Sequence, residues 1–174
     1  MKARTLCRYA LYLALAIIAG YIEILLPLTA VLPFLKIGIA NIIILTVIRF
    51  DGFLSALTIN ILRILTVGLL FGNTLSLVLA LSGGISATVV MYLATLLPKT
   101  GNIGVSAAGG TVHNIAQLSA AALVTETAGL THLLPILMIM GLIMGIICGI
   151  ASDFLIKKLN TLDFFKLKEN RNDR

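Results

Sequence analysis

The chain has 174 residues, of which 59% are hydrophobic and 11% are charged, and its mean hydropathy is +1.09. Soluble domains contain roughly 45–50% apolar residues, so this composition excludes an ordinary soluble protein and indicates an integral membrane protein. The formal net charge is +6. We attribute this charge to basic segments beside anionic lipid headgroups, and we expect no nucleic-acid partner.

Six apolar stretches follow one another along the chain, separated by short breaks. Most approach the ~20 residues that a helix needs to cross ~30 Å of hydrocarbon. The second is short, so it must be extended by its flanks, thin the bilayer locally, or be shielded by neighbouring helices. The sequence predicts an all-α integral membrane protein, a compact six-helix bundle forming one domain over residues 1–174. The predicted spans are 9–26, 37–50, 53–71, 75–97, 103–124 and 133–156.

Positive residues predict the orientation of this bundle. With both termini in the cytoplasm, the only Lys or Arg outside is Lys36, the only one inside the membrane is Arg63, and all others are cytoplasmic. This agrees with the excess of Lys and Arg in cytoplasmic loops. The basic start of the chain could imitate a signal peptide, but five more apolar stretches favour an uncleaved first helix. The prediction is a multi-pass protein of the cell membrane with a basic cytoplasmic tail, 157–174.

Small residues at intervals of four mark two faces where helices can approach closely. On the sixth helix, Gly141, Gly145 and Gly149 favour packing within the bundle. On the first helix, Ala10 and Ala14 lie near the cytoplasmic end. There, packing within the bundle and contact with a separate partner subunit both remain open.

A polar set inside two apolar stretches is the strongest indication of a functional site. Arg63 lies in the third stretch, three residues after Asn60, and a cation at bilayer depth costs at least roughly 2.5 kcal/mol. Counted at 1.5 Å per residue from the cytoplasmic side, Arg63 stands at about 13 Å and His113 at about 15 Å. No carboxylate is expected at that depth. The fifth stretch adds Asn114 and Gln117.

Two interpretations of this set compete. Arg63 and the fifth-helix residues can converge on a cavity whose ligand carries an anionic or carbonyl-rich group, because guanidinium donors suit such groups. Alternatively, Arg63 bonds to helix carbonyls and Asn114 and simply holds two helices together. Ionisable residues inside a membrane are functional by default, which favours the first interpretation.

A second polar group is expected on the outer side. It contains Glu23 at the end of the first helix, Lys36 and Asn41 at the start of the second, and Asn73 between the third and fourth. A salt bridge between Glu23 and Lys36 at the interface is one interpretation. The other is that this group forms the rim of a cavity that opens to the outside.

Signatures of enzymes are weak in this sequence. All seven acidic residues are isolated, whereas polyprenyl diphosphate synthesis uses Asp-rich motifs that hold magnesium on a diphosphate. No hydrolase, zinc-protease or phosphate-loop motif occurs. The two cysteines, Cys7 and Cys148, lack metal spacing and are interpreted as packing residues. We therefore expect no catalytic residue, no metal and no cofactor.

Six short motifs resemble a known bacterial family over nearly the whole chain, from the first helix to the sixth. This is the Gx transporter family, widely labelled heptaprenyl diphosphate synthase component I. The motifs are Leu-Lys-Ile-Gly-Ile-Ala-Asn-Ile at 35–42, Asn-Ile-Leu-Arg-Ile-Leu at 60–65 with Gly-Leu-Leu-Phe-Gly at 68–72, Leu-Ser-Gly-Gly at 81–84, and Gly-Val-Ser at 104–106 with His-Asn-Ile-Ala-Gln at 113–117.

That family is in turn similar to the substrate-binding membrane subunits of energy-coupling-factor transporters, which have six helices and bind vitamins from outside. The resemblance implies that Ala10 and Ala14 contact a membrane coupling subunit and that separate ATPases supply the energy. This chain lacks the recognisable ligand motifs of the vitamin-specific members.

The leading hypothesis is a substrate-capture subunit of such a transporter. A flavin, a quinone precursor or a prenyl phosphate would enter from outside and contact a set of substrate-binding residues. The first alternative is a non-catalytic membrane component of polyprenyl diphosphate synthesis, and the second is a membrane scaffold. The substrate-binding set is Arg63, Asn60, His113, Asn114, Gln117, Lys36 and Asn41.

Overall fold

A computed structural model describes residues 3–26 and 37–162 of the chain. These residues form six α-helices and one short 3-10 helix and contain no strand, which confirms the all-α prediction. Lys36 and the tail beyond residue 162 lie outside the described residues. The elements are α1 (Ala3–Leu25), α2 (Ile39–Asp51), α3 (Phe53–Phe71), α4 (Thr74–Leu96), α5 (Asn102–Val124), the 3-10 helix Ala128–Leu133 and α6 (Leu134–Asn160).

Four helical segments in the described part of the chain are long and apolar enough to cross a membrane. They are α1, α3, α4 and the continuous segment Gly129–Asn160, which joins the 3-10 helix to α6. The helix α2 has only 13 residues, and α5 has 23 residues but carries four polar side chains among its nine buried residues. Two of the six predicted spans are therefore too short or too polar to match the other four, and the six-span topology stays a prediction.

The short helix α2 lies at the centre of the bundle. It packs against α1, α3, α4, α5 and α6, and Ile44, Leu45 and Val47 have no exposed surface. Within a bilayer such side chains stabilise the bundle through close van der Waals packing. Of the three ways in which a short span can be accommodated, the structure shows shielding by neighbouring helices.

Glycines begin and end α2. Gly38 has a φ of 81° and Gly52 a φ of 86°, values in the left-handed region that only glycine adopts at little cost. Gly52 is also the single residue between α2 and α3. The chain reverses there within one residue, which places the end of α2 directly beside the start of α3.

Polar side chains tie the helices together at the end of the bundle where both described termini lie, which we name the terminal end. Arg8 of α1 forms an ion pair with Asp51 at the end of α2. Arg49 Nε donates to Asn102 Oδ1 at 2.8 Å, and Asn102 Nδ2 donates to Asp153 Oδ1 at 2.9 Å. These bonds connect α1 with α2, and α2 with α5 and α6. That the terminal end faces the cytoplasm stays a prediction.

A seam of small residues joins α5 to α6, as the glycine spacing predicts. A methyl group built at Gly145 would lie 2.7 Å from Ala107 Cα and 2.7 Å from Ser106 O, and one at Gly110 would lie 2.6 Å from Gly141 O. These distances leave no room for a side chain on either helix. The two backbones therefore pack in direct contact along the seam.

We expect Gly145→Ala to destabilise the protein by about 1–3 kcal/mol, because the new methyl group meets backbone atoms that cannot rotate away. Thermal unfolding in detergent measures this loss. Gly104→Ala is the matched control, since Gly104 is exposed on α5 and only the flexible end of Thr100 lies near its added methyl group, at 3.6 Å. Equal unfolding temperatures for the two variants would contradict the direct backbone contact between α5 and α6.

Candidate functional site

Arg63 of α3 is buried and held by Asn60 of the same helix. Its side chain keeps only 7% of its surface exposed, and Nε and Nη2 both donate to Asn60 Oδ1, at 3.1 and 2.7 Å. The spacing of three residues places the two side chains on one face of α3. One amide oxygen thus receives two charge-assisted hydrogen bonds, which are stronger than bonds between neutral groups.

Asn60 in turn binds α4 through its amide nitrogen. Nδ2 donates to Gly84 O at 3.0 Å and to Thr88 Oγ1 at 2.8 Å. A side chain at Gly84 would block this approach, because a methyl group there would lie 3.2 Å from Nδ2. All hydrogen-bonding capacity of the amide nitrogen is used, and Asn60 holds Arg63 while it joins α3 to α4. Sequence reasoning singled out Asn60 but missed Thr88 and the role of Gly84.

The third nitrogen of the guanidinium, Nη1, points toward α1. A methyl group built at Gly20 would lie 3.4 Å from it. The other two guanidinium nitrogens bind Asn60, whereas Nη1 makes no hydrogen bond to any described residue. The guanidinium therefore retains donor capacity for a carbonyl or an anion on its α1 side.

A carboxylate acts on this guanidinium. Glu23 of α1 is half-buried one turn beyond Gly20, and it interacts electrostatically with Arg63. Its Oε1 also accepts a hydrogen bond from the backbone N–H of Ile39, at the start of α2. That no carboxylate lies at the depth of Arg63 stays a prediction, since a long arginine side chain can interact with a carboxylate at a different depth.

His113 of α5 packs against α4 at Gly83, the residue before Gly84, which Asn60 contacts. The histidine is 5% exposed, and a methyl group at Gly83 would lie 3.0 Å from its Nε2. The adjacent glycines Gly83 and Gly84 therefore accept His113 from one side and Asn60 from the other. In the described residues, α3 and α5 each pack on α4 but not on each other, so Arg63 and His113 flank α4.

The other predicted residues of α5 are buried with spare acceptors. Asn114 Nδ2 donates to Leu137 O of α6 at 3.0 Å, whereas Asn114 Oδ1 and Gln117 Oε1 have no hydrogen-bond partner among the described residues. Ser106 Oγ is also buried without a hydrogen-bond partner among the described residues. Sequence reasoning did not single out this residue. A buried polar group without a partner costs about 1–3 kcal/mol, so these oxygens mark places where a ligand or water would bind. The alternative bond from Arg63 to Asn114 is absent; Arg63 binds Asn60 instead.

The outer polar group divides into different roles. Asn41 is 4% exposed in the first turn of α2, beside Gly38. Asn73 is the N-cap of α4, since its Oδ1 accepts from Ser76 N at 2.8 Å. Lys36 lies outside the described residues, so its place at the rim is not described.

The first helix leaves its small-residue face uncovered. Ala10 and Ala14 are both exposed. Ala10 lines an apolar groove of about 500 Å³ between α1 and α3, together with Tyr9, Leu13, Ser55 and Leu62 among others. This face is therefore sterically open, in contrast to the glycine seam of α5 and α6.

Together these features define a helical membrane protein with a buried, partly unsatisfied polar site around Arg63. No group of three or more potential metal ligands occurs in the described ranges. A family model described as heptaprenyl diphosphate synthase component I matches residues 12–155, and the chain belongs to this family, as the sequence motifs indicate. No curated protein and no solved structure matches the chain.

We expect Asn60→Leu to cost about 3–5 kcal/mol, because it leaves the Arg63 charge buried without its acceptor. Arg63→Met should cost less, about 1–3 kcal/mol, since it leaves only a neutral amide oxygen unsatisfied. The double variant should be more stable than Asn60→Leu alone. Unfolding of the detergent-solubilised variants measures all three, and additive losses would contradict the dependence of Arg63 on Asn60.

Proposed function

We propose that this protein is a non-catalytic membrane component of polyprenyl diphosphate synthesis and that it binds a ligand at the site around Arg63. Membership of the family supports the first part. The sequence has no Asp-rich motif for a magnesium-bound diphosphate, so we assign the condensation chemistry to a partner protein. In this proposal the bundle crosses the membrane six times, with both termini in the cytoplasm, where that partner reaches it.

The strongest support for the ligand site is the unused donor nitrogen of Arg63. Arg63 is buried among apolar helices, yet Nη1 is unused by any described hydrogen-bond acceptor. A purely structural arginine would be expected to use all its donors on protein carbonyls, since unsatisfied donors in hydrocarbon are costly. We propose that Nη1 binds a carbonyl or an anionic group of the ligand.

The buried polar residues of α5, which pack on α4 from a different side than Arg63, form a second polar set in this proposal. Gln117 Oε1 and Asn114 Oδ1 are buried acceptors without a described partner, and they would receive donors from the ligand or from bound water. His113 and Asn41 complete the buried polar set. Lys36 is proposed as a contact at the rim, on the basis of sequence alone.

The role in synthesis is tested by reconstitution. Polyprenyl diphosphate formation by the catalytic partner should fall, or stop at shorter products, when this chain is left out of the membranes. Product length and rate, measured by chromatography of labelled products, report the effect. Undiminished synthesis without this chain would remove the proposal.

We expect Arg63→Met to abolish binding of the copurifying ligand while the protein stays folded, because methionine keeps much of the volume and removes every donor. Native mass spectrometry of the gently extracted protein measures the bound mass. Lys158→Met, which removes a charge from an exposed position near the end of α6, is the matched control and should keep the ligand. A ligand retained by Arg63→Met would contradict the site.

A second candidate function is substrate capture for an energy-coupling-factor-like transporter. The observation that favours it is the uncovered face of α1, where Ala10 and Ala14 are exposed. Small residues let another backbone approach closely, so this face suits a membrane coupling subunit, with ATPases in trans. The scaffold alternative has no separate observation in its favour.

We expect the double variant Ala10→Leu and Ala14→Leu to lose its membrane partner without loss of stability, because both side chains point away from the bundle. Copurification of the tagged protein from native membranes identifies the partner and measures the loss. A prenyl synthase among the lost proteins supports the first function, and an ATPase complex supports the second. Ala16→Leu is the contrasting control, since Ala16 has no exposed surface and its enlargement should unfold the bundle.

A further inference from the structure

We infer that Glu23 is the resident counter-ion of Arg63, and that the site therefore selects a neutral, carbonyl-rich head group over an anionic one. This inference rests on the proposed ligand site and narrows its ligand class. It also assigns Glu23 a role in specificity, which sequence reasoning placed in an interfacial salt bridge or at a cavity rim.

The geometry of α1 places Glu23 on the helix face that Arg63 approaches. Gly20 lies beside Arg63 Nη1, at 3.4 Å from a methyl group built on it, and Glu23 follows three residues later. Residues three apart lie on the same face of a helix, so Glu23 lies on the face of α1 that the Arg63 guanidinium approaches at Gly20. The electrostatic interaction between the two side chains agrees with this placement.

Glu23 is fixed in this position by a second contact. Its carboxylate accepts the backbone N–H of Ile39, one of the donors at the start of α2 that have no partner within the helix. The positive end of the helix dipole stabilises a negative charge there. Glu23 is therefore held in place at the start of α2, and it does not have to leave when a ligand binds Arg63.

The charge balance decides which ligand fits. One cation and one anion in the described site give a neutral pair, and each is stabilised by the other in a low-dielectric interior. An anionic head group would bring a second negative charge next to Glu23, and like charges brought together in a desolvated site are strongly unfavourable. A carbonyl oxygen can accept from Nη1 without this repulsion.

The test compares two probes that share one tail and differ in the head group. Geranylacetone carries a neutral ketone, and geranyl diphosphate carries a multiply charged anion. Both are titrated into the full-length protein in lipid nanodiscs. We expect the wild-type protein to bind geranylacetone about tenfold more tightly than geranyl diphosphate, the ratio for a modest charge repulsion.

Glu23→Gln should abolish this preference. The glutamine oxygen can still accept the Ile39 N–H, so the fold is kept while the negative charge is removed. Affinity for geranyl diphosphate should rise about tenfold, and affinity for geranylacetone should stay the same. Glu126→Gln removes a charge from an exposed turn and should change neither affinity.

Two kinds of failure are distinguishable. If wild-type protein prefers geranyl diphosphate, or if Glu23→Gln leaves the preference unchanged while Arg63→Met still abolishes binding, the inference is overturned and the ligand site stands. If neither probe binds, or if both bind equally well to Arg63→Met, the proposed ligand site is overturned together with the inference.

Discussion

The structure depends on how one arginine is kept inside an apolar bundle. Two nitrogens of Arg63 share the oxygen of Asn60, and the amide nitrogen of Asn60 is bound to Gly84 and Thr88 of α4. The charge is therefore shared with an amide that is itself fully engaged, and α3 cannot rotate against α4 without breaking this chain of bonds. The remaining nitrogen, Nη1, forms no hydrogen bond to a described residue and serves no evident structural purpose.

Glycines, which have no side chain, matter as much to the packing of this bundle as the polar residues do. Gly20 leaves room for the guanidinium, Gly84 for Asn60 and Gly83 for His113. Along α5 and α6 the same device brings two backbones into contact over several turns. In each case a helix position is kept empty so that a neighbouring helix or polar group can enter, at the cost of roughly 1 kcal/mol of helix propensity per glycine.

Much of this architecture follows from the sequence, because its signals are local. Apolar length predicts the long helices, and four-residue glycine spacing predicts the seam of α5 and α6. The prominence of Arg63, Asn60, His113, Asn114 and Gln117 follows from their polarity within apolar stretches, and all five are buried. Their use as a ligand site stays a prediction.

Non-local features could not be predicted in the same way. The sequence contains nothing that marks α2 as central, since a short apolar stretch is compatible with three different accommodations. The electrostatic interaction of Glu23 with Arg63 joins residues 40 positions apart in the chain, and no local pattern in the sequence marks it. Thr88 and Ser106 look like ordinary small polar residues until their neighbours are known.

The single glycine between α2 and α3 has a mechanical consequence. Because Gly52 is the whole connection, two dihedral angles are the only flexible joint between the helix that ends at Asp51 and the helix that carries Arg63. The other end of α2 is bound to Glu23. If α2 tilts, the dihedral angles of Gly52 must change or α3 must move together with α2 as a rigid body. Glu23 and Arg63 are thus both linked to the same central helix, Glu23 through a hydrogen bond to Ile39 and Arg63 through the one-residue connection between α2 and α3.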